Sequence, residues 1–289
     1  MLTPEVLRQI RRLELRAGRA VTDVMAGNYV SAFKARGMEF EEVREYVPGD
    51  EVRLIDWNVT ARLHVPHVKV LREERELTVL IVCDVSASQS FKGFHRAKRE
   101  VAAEMAAVLA FLASRSQDRV GLVLAADNVE VFVPPRKGRG HVWNLIREAL
   151  TYKAMGKGTG LEQALRFVDR VQKRRALVFV LSDFLGDLPE NLGQLARRHD
   201  VVAVRIRDPL ERKVPRDAGL VEVTDAESGR AVIVDARNDA FQQNFTRWWQ
   251  DHDARFASWI RRSGAKAFDA MTSGNTVDPL AAFLRKASP

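Results

Sequence analysis

Cysteine is almost missing from this chain: there is one, Cys83, in 289 residues. A single thiol excludes an internal disulfide and fits a reducing compartment. It falls inside an apolar run, so it reads as a small core residue rather than a nucleophile. Long hydrophobic runs are missing too. None approaches the roughly 18–20 residues that cross a bilayer. The start, Met1-Leu2-Thr3-Pro4-Glu5, shows no basic leader followed by an apolar segment, so the expectation is a cytoplasmic protein without a transmembrane segment. Internal repeats and low-complexity linkers are absent. So are a zinc knuckle, a recognition-helix pattern and an aromatic-plus-basic ribonucleoprotein motif. The net charge of +8 is therefore assigned to solvated helix faces and an acidic protein partner rather than to nucleic acid. His64 and His67 lack a third nitrogen or sulfur ligand nearby in sequence, which excludes them as a zinc pair.

The remaining composition is that of a soluble globular protein, with 46% hydrophobic and 29% charged residues. Thr3 as a cap, Pro4, and Leu7, Ile10, Glu14, Ala17, Val21 and Val24 at three-to-four spacing predict a first helix ending at Gly27-Asn28. Gly37 to Glu76 carries Pro48-Gly49-Asp50, Pro66 and the alternating Val68-Lys69-Val70, which predict a small β-rich element with tight turns. Strands are predicted at 78–84, 120–125, 129–133, 176–182, 201–206 and 266–270, with a two-stranded excursion near 220–223 and 231–234. Helices are predicted at about 94–115, 140–150, 161–173 and 189–198, with a long aromatic one before the last strand and another after it. The row Phe245, Trp248, Trp249 and Phe256 is at helical spacing and reads as core. Strands alternating with helices imply an α/β fold: a doubly wound, mostly parallel sheet with helices on both faces. Residues 1–76 are read as an N-terminal helix and β-rich segment packed on a main domain of 77–289.

Chemistry concentrates in Asp84-Val85-Ser86-Ala87-Ser88. The stretch leaves a continuous apolar strand, Leu77–Cys83, and in an open α/β sheet ligands bind beyond the carboxyl ends of strands. One carboxylate and two hydroxyls form an all-oxygen set suited to a hard divalent cation. Thr159 lies in the glycine-rich loop Gly156-Lys157-Gly158-Thr159-Gly160, and Asp183 follows the apolar strand 176–182. Together Asp84, Ser86, Ser88, Thr159 and Asp183 resemble the metal-ion-dependent adhesion site of von Willebrand factor A domains. The resemblance implies that these five residues hold Mg²⁺, or another divalent cation such as Mn²⁺ or Ca²⁺.

A longer signature precedes the site. Glu39-Phe40, Val43-Arg44, Tyr46, Pro48-Gly49-Asp50, Val52-Arg53, Ile55-Asp56-Trp57 and Thr60-Ala61-Arg62 resemble the bacterial domain of unknown function 58 family, whose members join such a segment to a von Willebrand factor A-like domain. Gln89-Ser90 depart from it, standing where Met and a small residue are frequent. Members are commonly encoded beside MoxR-type AAA+ ATPases, so the resemblance implies an adaptor acting with such an ATPase or its client. Arg44, Asp50, Arg53, Asp56 and Arg62 read as an ion-pair lattice around Trp57, tying the β element to the sheet. A partner-docking surface is the alternative.

The favoured expectation is a metal-dependent protein-binding module rather than an enzyme, with no catalytic residues. Neutral hydroxyl ligands leave the cation's charge uncancelled, so a carboxylate on an acidic partner surface can complete its shell. A Mg²⁺-dependent phosphatase of the haloacid-dehalogenase type competes with this reading. It needs an acid two residues after the nucleophile, where Ser86 stands, and a lysine, for which Lys153 and Lys157 are the nearby choices. A metal-free scaffold is the third alternative.

Overall fold

The computed structural model describes residue 8 and residues 23–33, 38–73, 76–93, 95–156, 158–224 and 229–287. Thr3, Pro4, Leu7, Ile10, Glu14, Ala17 and Val21 of the predicted first helix, and Lys157, lie outside them. Helix α1, Asp23–Phe33, runs through the predicted stop at Gly27-Asn28. Met25, Tyr29, Ala32 and Phe33 are buried at helical spacing, and burying that stripe outweighs the roughly 1 kcal/mol that a mid-helix glycine costs. Strands β1 (Met38–Glu45) and β2 (His67–Glu73) pair antiparallel.

Between these strands lies a helix that the β-rich expectation omitted, α2, Trp57–Leu63. Asp56 caps it, accepting from Asn58 N at 3.0 Å and Val59 N at 3.2 Å. The expected lattice forms only in part. Arg44 grips Asp50 bidentately at 2.7 and 2.8 Å, and Lys69 stands 3.5 Å from Asp56. Arg53 comes no nearer than 3.8 Å to Glu51. Trp57 is 67% exposed, so the reading of it as an apolar anchor is overturned. The first position of a capped surface helix turns its ring outward.

The main sheet begins with β3, Thr78–Asp84. Next come α3 (Lys98–Arg115), β4 (Arg119–Ala125), β5 (Val129–Arg136), α4 (Arg139–Thr151) and α5 (Leu161–Val171). Then follow β6 (Leu177–Ser182), α6 (Leu192–Arg198) and β7 (Asp200–Arg207). An excursion carries the hairpin β8 (Leu220–Thr224) and β9 (Ala231–Asp235), before α7 (Asp239–Ser263), β10 (Lys266–Met271) and α8 (Val277–Ala287). The order is β10-β7-β6-β3-β4-β5, all parallel except β5, which pairs antiparallel with β4.

Alternation along β3 builds two cores, because successive side chains leave a strand on opposite faces. Val79, Ile81 and Cys83 face α1, α3, α4 and α8. Leu80 and Val82 face α5, α6 and α7. This is the doubly wound α/β arrangement expected of a von Willebrand factor A-like chain. Two contacts hold α1 in place. Tyr29 Oη donates to Asp118 Oδ2 at 3.0 Å, while Leu77 N donates to Oδ1 at 2.9 Å. Phe33 meets Phe179 of β6 and Phe283 of α8 at 6.3 and 6.5 Å between ring centroids. In the aromatic row, Trp249 and Phe256 are buried as expected, but Trp248 is 45% exposed.

A charged cluster joins β7, β10 and α7. Arg205 binds Asp269 bidentately at 2.9 and 3.0 Å and Asp253 at 2.9 Å, and Arg207 adds a 2.8 Å bond to Asp269. Burial works against the Asp269 charge, but these guanidinium bonds win and hold its carboxyl below the ordinary carboxylate range. The cluster's contribution is therefore complete above the unfolded-chain value of about 3.9 and is lost as pH falls through the lower folded value. Urea midpoints measured against pH should show Asp269→Asn less stable by about 1 kcal/mol at neutral pH, a figure discounted for the partial exposure of the carboxyl. The two curves should converge under strongly acid conditions. Parallel curves across that range would assign the loss to packing instead.

Candidate functional site

From β3 the chain crosses through α3 to β4 on one side, and only after β5, α4 and α5 does it return to place β6 on the other side, so the strand order reverses at β3. A crevice opens at such a reversal, beyond the carboxyl ends of the strands. Asp84 is the last residue of β3 and Ser182 the last of β6, with Cys83 and Leu181 in register behind them. Asp84 is 1% exposed. Its Oδ1 accepts from Ser86 N at 2.9 Å, which turns the chain into the 3-10 segment Ala87–Ser90. Its Oδ2 accepts from Ser182 Oγ at 2.6 Å. The Ser86 and Ser88 hydroxyls meet at 3.1 Å. Burial, and then the charge of Asp183, push the Asp84 carboxyl up to about 6. Among the described residues the groups acting on it are Asp183, Ser182 and Ser86, none of them cationic.

Asp183 reaches the same edge but is otherwise engaged. Its Oδ1 accepts from Leu185 N at 3.2 Å, and its Oδ2 holds the ammonium of Lys98. Lys98 opens α3 and is wholly buried. The same ammonium contacts Glu211 Oε1 at 2.5 Å and lies 5.7 Å from the Phe91 ring centroid. Burial disfavours the Lys98 charge, yet the two carboxylates prevail and raise its pKa above the ordinary value. Behind Asp183, Phe184 adopts a left-handed φ of 53°, a conformation that costs a non-glycine residue roughly 1–2 kcal/mol. Two bonds hold it there. Phe184 N donates to Ser182 Oγ at 3.0 Å, and its carbonyl accepts from His252 Nε2 at 2.8 Å.

The Thr159 loop is pinned to the neighbouring strand end. Gly158 N donates to Asp127 Oδ1 at 2.8 Å, Gly156 N donates to Glu130 Oε1 at 2.8 Å, and Gly160 N donates to the Ala126 carbonyl. A Cβ on any of these glycines would collide with Asp127 or the backbone beside it, so close approach is what requires them. The five residues named from sequence thus all lie at one edge of the sheet. Asp84, Ser86 and Ser88 form a contiguous oxygen set. Asp183 stands beside them, bound to Lys98.

That set fits a hard cation in one respect: among the described residues no lysine or arginine pairs with the buried carboxylate, which lies beside two neutral hydroxyls. Asp183 in this arrangement already has its cation, a lysine. Among the described residues no cluster of three or more His, Cys, Asp or Glu side chains forms, as befits a site with so few carboxylates. A cleft of about 500 Å³ runs past Asp84 and Ser86, lined also by Gln89, Arg99, Glu100 and Tyr152. Gln89 is buried, and among the described residues neither end of its amide has a partner.

Sequence reasoning missed Ser182, Lys98 and Glu211. Ser182 was findable, as the last residue of a strand adjoining the one that ends in Asp84. Lys98 looks like any solvated lysine in His95-Arg96-Ala97-Lys98-Arg99-Glu100, and Glu211 lies in the excursion, far away in sequence. Among the described residues no helix is long and apolar enough to cross a membrane.

Residues 42–255 match the model of a family described as a protein of unknown function, DUF58. An uncharacterized protein of Mycobacterium tuberculosis is 33% identical over 287 residues, covering 97% of this chain and 89% of the relative. Among solved structures, the conserved hypothetical protein BatB from Bacteroides thetaiotaomicron aligns with a TM-score of 0.47 at 15% identity, covering 73% of this chain and 98% of that one. The SpRpn10 VWA domain aligns with a TM-score of 0.37 at 14% identity, covering 74% and 95%. A family model spanning most of the chain and a relative one-third identical over nearly its whole length place it: the chain belongs to the DUF58 family.

Proposed function

We propose that the protein is a docking module that binds a divalent cation, Mg²⁺ or else Mn²⁺ or Ca²⁺, at the carboxyl edge of its sheet and offers it to a carboxylate on a partner protein. One observation carries the reading. Asp84 is buried beside the hydroxyls of Ser86 and Ser88, and among the described residues no cation pairs with it; such a carboxylate is costly unless an ion shares the site. Asp84, Ser86 and Ser88 would hold the metal, with the Thr159 loop at the same edge. A metal held mainly by neutral oxygens supplies a Lewis-acidic position for an outside carboxylate.

The family resemblance supports a MoxR-type AAA+ ATPase, or a client it remodels, as the partner in assembly or remodelling of other proteins. The net charge of +8 favours approach of an acidic surface. The phosphatase reading is weaker. It lacks its general acid, since Ser86 stands in that place; Lys153 does line the cleft with Asp84, while the buried Lys98 is bound to Asp183 and Glu211.

The test is affinity for the MoxR-type ATPase of the same source, measured with Mg²⁺, with chelator, and with Ser86→Ala/Ser88→Ala. Chelator and the double substitution should each weaken binding at least tenfold. A change below about twofold, within the scatter of surface substitutions, would move docking to the Arg44–Arg62 segment.

A further inference from the structure

The geometry points to Lys98 as a built-in cation that competes with the metal for Asp183. This inference rests on the metal reading of the site and concerns how that site is regulated. The lysine occupies an unusual place. It is the first residue of α3, its side chain is wholly buried, and its ammonium is shared between Asp183 at the end of β6 and Glu211 after β7. Asp84 stands one strand away, and among the described residues it has no such partner. So among those residues Asp183 already has its positive charge and Asp84 has none.

Two arrangements follow for the same residues. With the ammonium on Asp183, the cation site holds a single carboxylate, Asp84, and binds metal weakly. With the ammonium drawn fully onto Glu211, Asp183 is released and the site gains a second anionic oxygen donor. Glu211 belongs to the segment Pro209–Arg212, which its own bonds to Asp208 organise. A shift of that segment would therefore alter metal affinity without touching a metal ligand. Lys98 and Glu211 act here as positioning residues.

The experiment is a double-mutant cycle on the full chain, titrating Mn²⁺ alone by calorimetry, with thermal melts as the check on folding. Removing the ammonium with Lys98→Met should tighten Mn²⁺ binding at least tenfold. Simple removal of a nearby positive charge would act in the same direction, so the coupling to Asp183 decides. Asp183→Asn should weaken binding less than threefold in the wild-type background and more than tenfold in the Lys98→Met background. Equal costs in the two backgrounds would overturn the inference and leave Lys98 a distant electrostatic influence.

The wild-type arm needs no lysine variant. A loss above tenfold there would mean that Asp183 already binds the metal, which also overturns the inference. Should Lys98→Met fail to fold, Lys98→Gln takes its place. Failure of the underlying reading looks different: no Mn²⁺ binding by any variant removes the metal site itself and this inference with it. Binding by Lys98→Met but not by wild type upholds the lysine's role and overturns metal-dependent docking in the natural chain.

Discussion

Asp84→Asn is expected to abolish divalent-cation binding while leaving the protein folded. Asp84 is the only carboxylate among the three contiguous oxygen donors. Removing one member of a desolvated charge pair costs about 2–5 kcal/mol, a loss of at least roughly thirtyfold in affinity. Without metal the expected sign reverses. The carboxyl is buried, faces Asp183, and is pushed up to about 6, so its ionised form is a burden on the empty fold. A neutral amide lifts that burden and keeps an oxygen for the Ser182 hydroxyl, at the expense of the bond from Ser86 N. The melting temperature in chelator should hold or rise by a few degrees, while the stabilisation by Mg²⁺ expected of the wild type should be absent. If Asp84→Asn melts more than about 10 °C lower and the wild type ignores chelator, the carboxylate is a structural element of the turn.

Tyr29→Ala should produce the largest loss of stability. The ring is 1% exposed, packs on Phe33 with centroids 5.7 Å apart, and donates to the buried Asp118. Burial foremost, then the charge and hydrogen bond of Asp118, raise the phenol well above its ordinary value, so it remains a neutral donor. Deleting a buried aromatic ring costs about 3–5 kcal/mol, and loss of the hydrogen bond to Asp118 adds to it. Tyr29→Phe isolates the hydroxyl and should cost about 1.5–3 kcal/mol, the range for bonds to charged groups. Urea midpoints compare the three proteins. An alanine variant within about 1 kcal/mol of wild type would mean that α1 contributes little to holding the sheet.

The sheet was legible because parallel strands buried on both faces are written as unbroken apolar runs, and Leu177–Ser182 reads as little else. The break between the strands predicted at 120–125 and 129–133 was legible for the converse reason, since the polar pair Asp127-Asn128 stands between two such runs. Asp84, Ser86 and Ser88 announced themselves by spacing alone. The partner of Asp183 did not. Whether a lysine is solvated or buried depends on what the chain brings over it, and Glu211 arrives from 113 residues away. The same reasoning failed for Gly27-Asn28, where local preference for a stop was outweighed by Phe33 meeting rings in β6 and α8. Trp57 failed in the other direction. An aromatic residue is read as core by default, yet here Asp56 places it on an exposed first turn.

The contact between Phe33 and Phe283 has a consequence for how the chain is made. Synthesis proceeds from the N-terminal end at about 5–20 residues per second. The helix bearing Phe33 therefore leaves the ribosome roughly ten to fifty seconds before the helix bearing Phe283 does. During that interval its apolar stripe has no finished surface to rest on. A nascent chain halted before residue 277 should leave α1 open to proteolysis, and release of the last helix should close it.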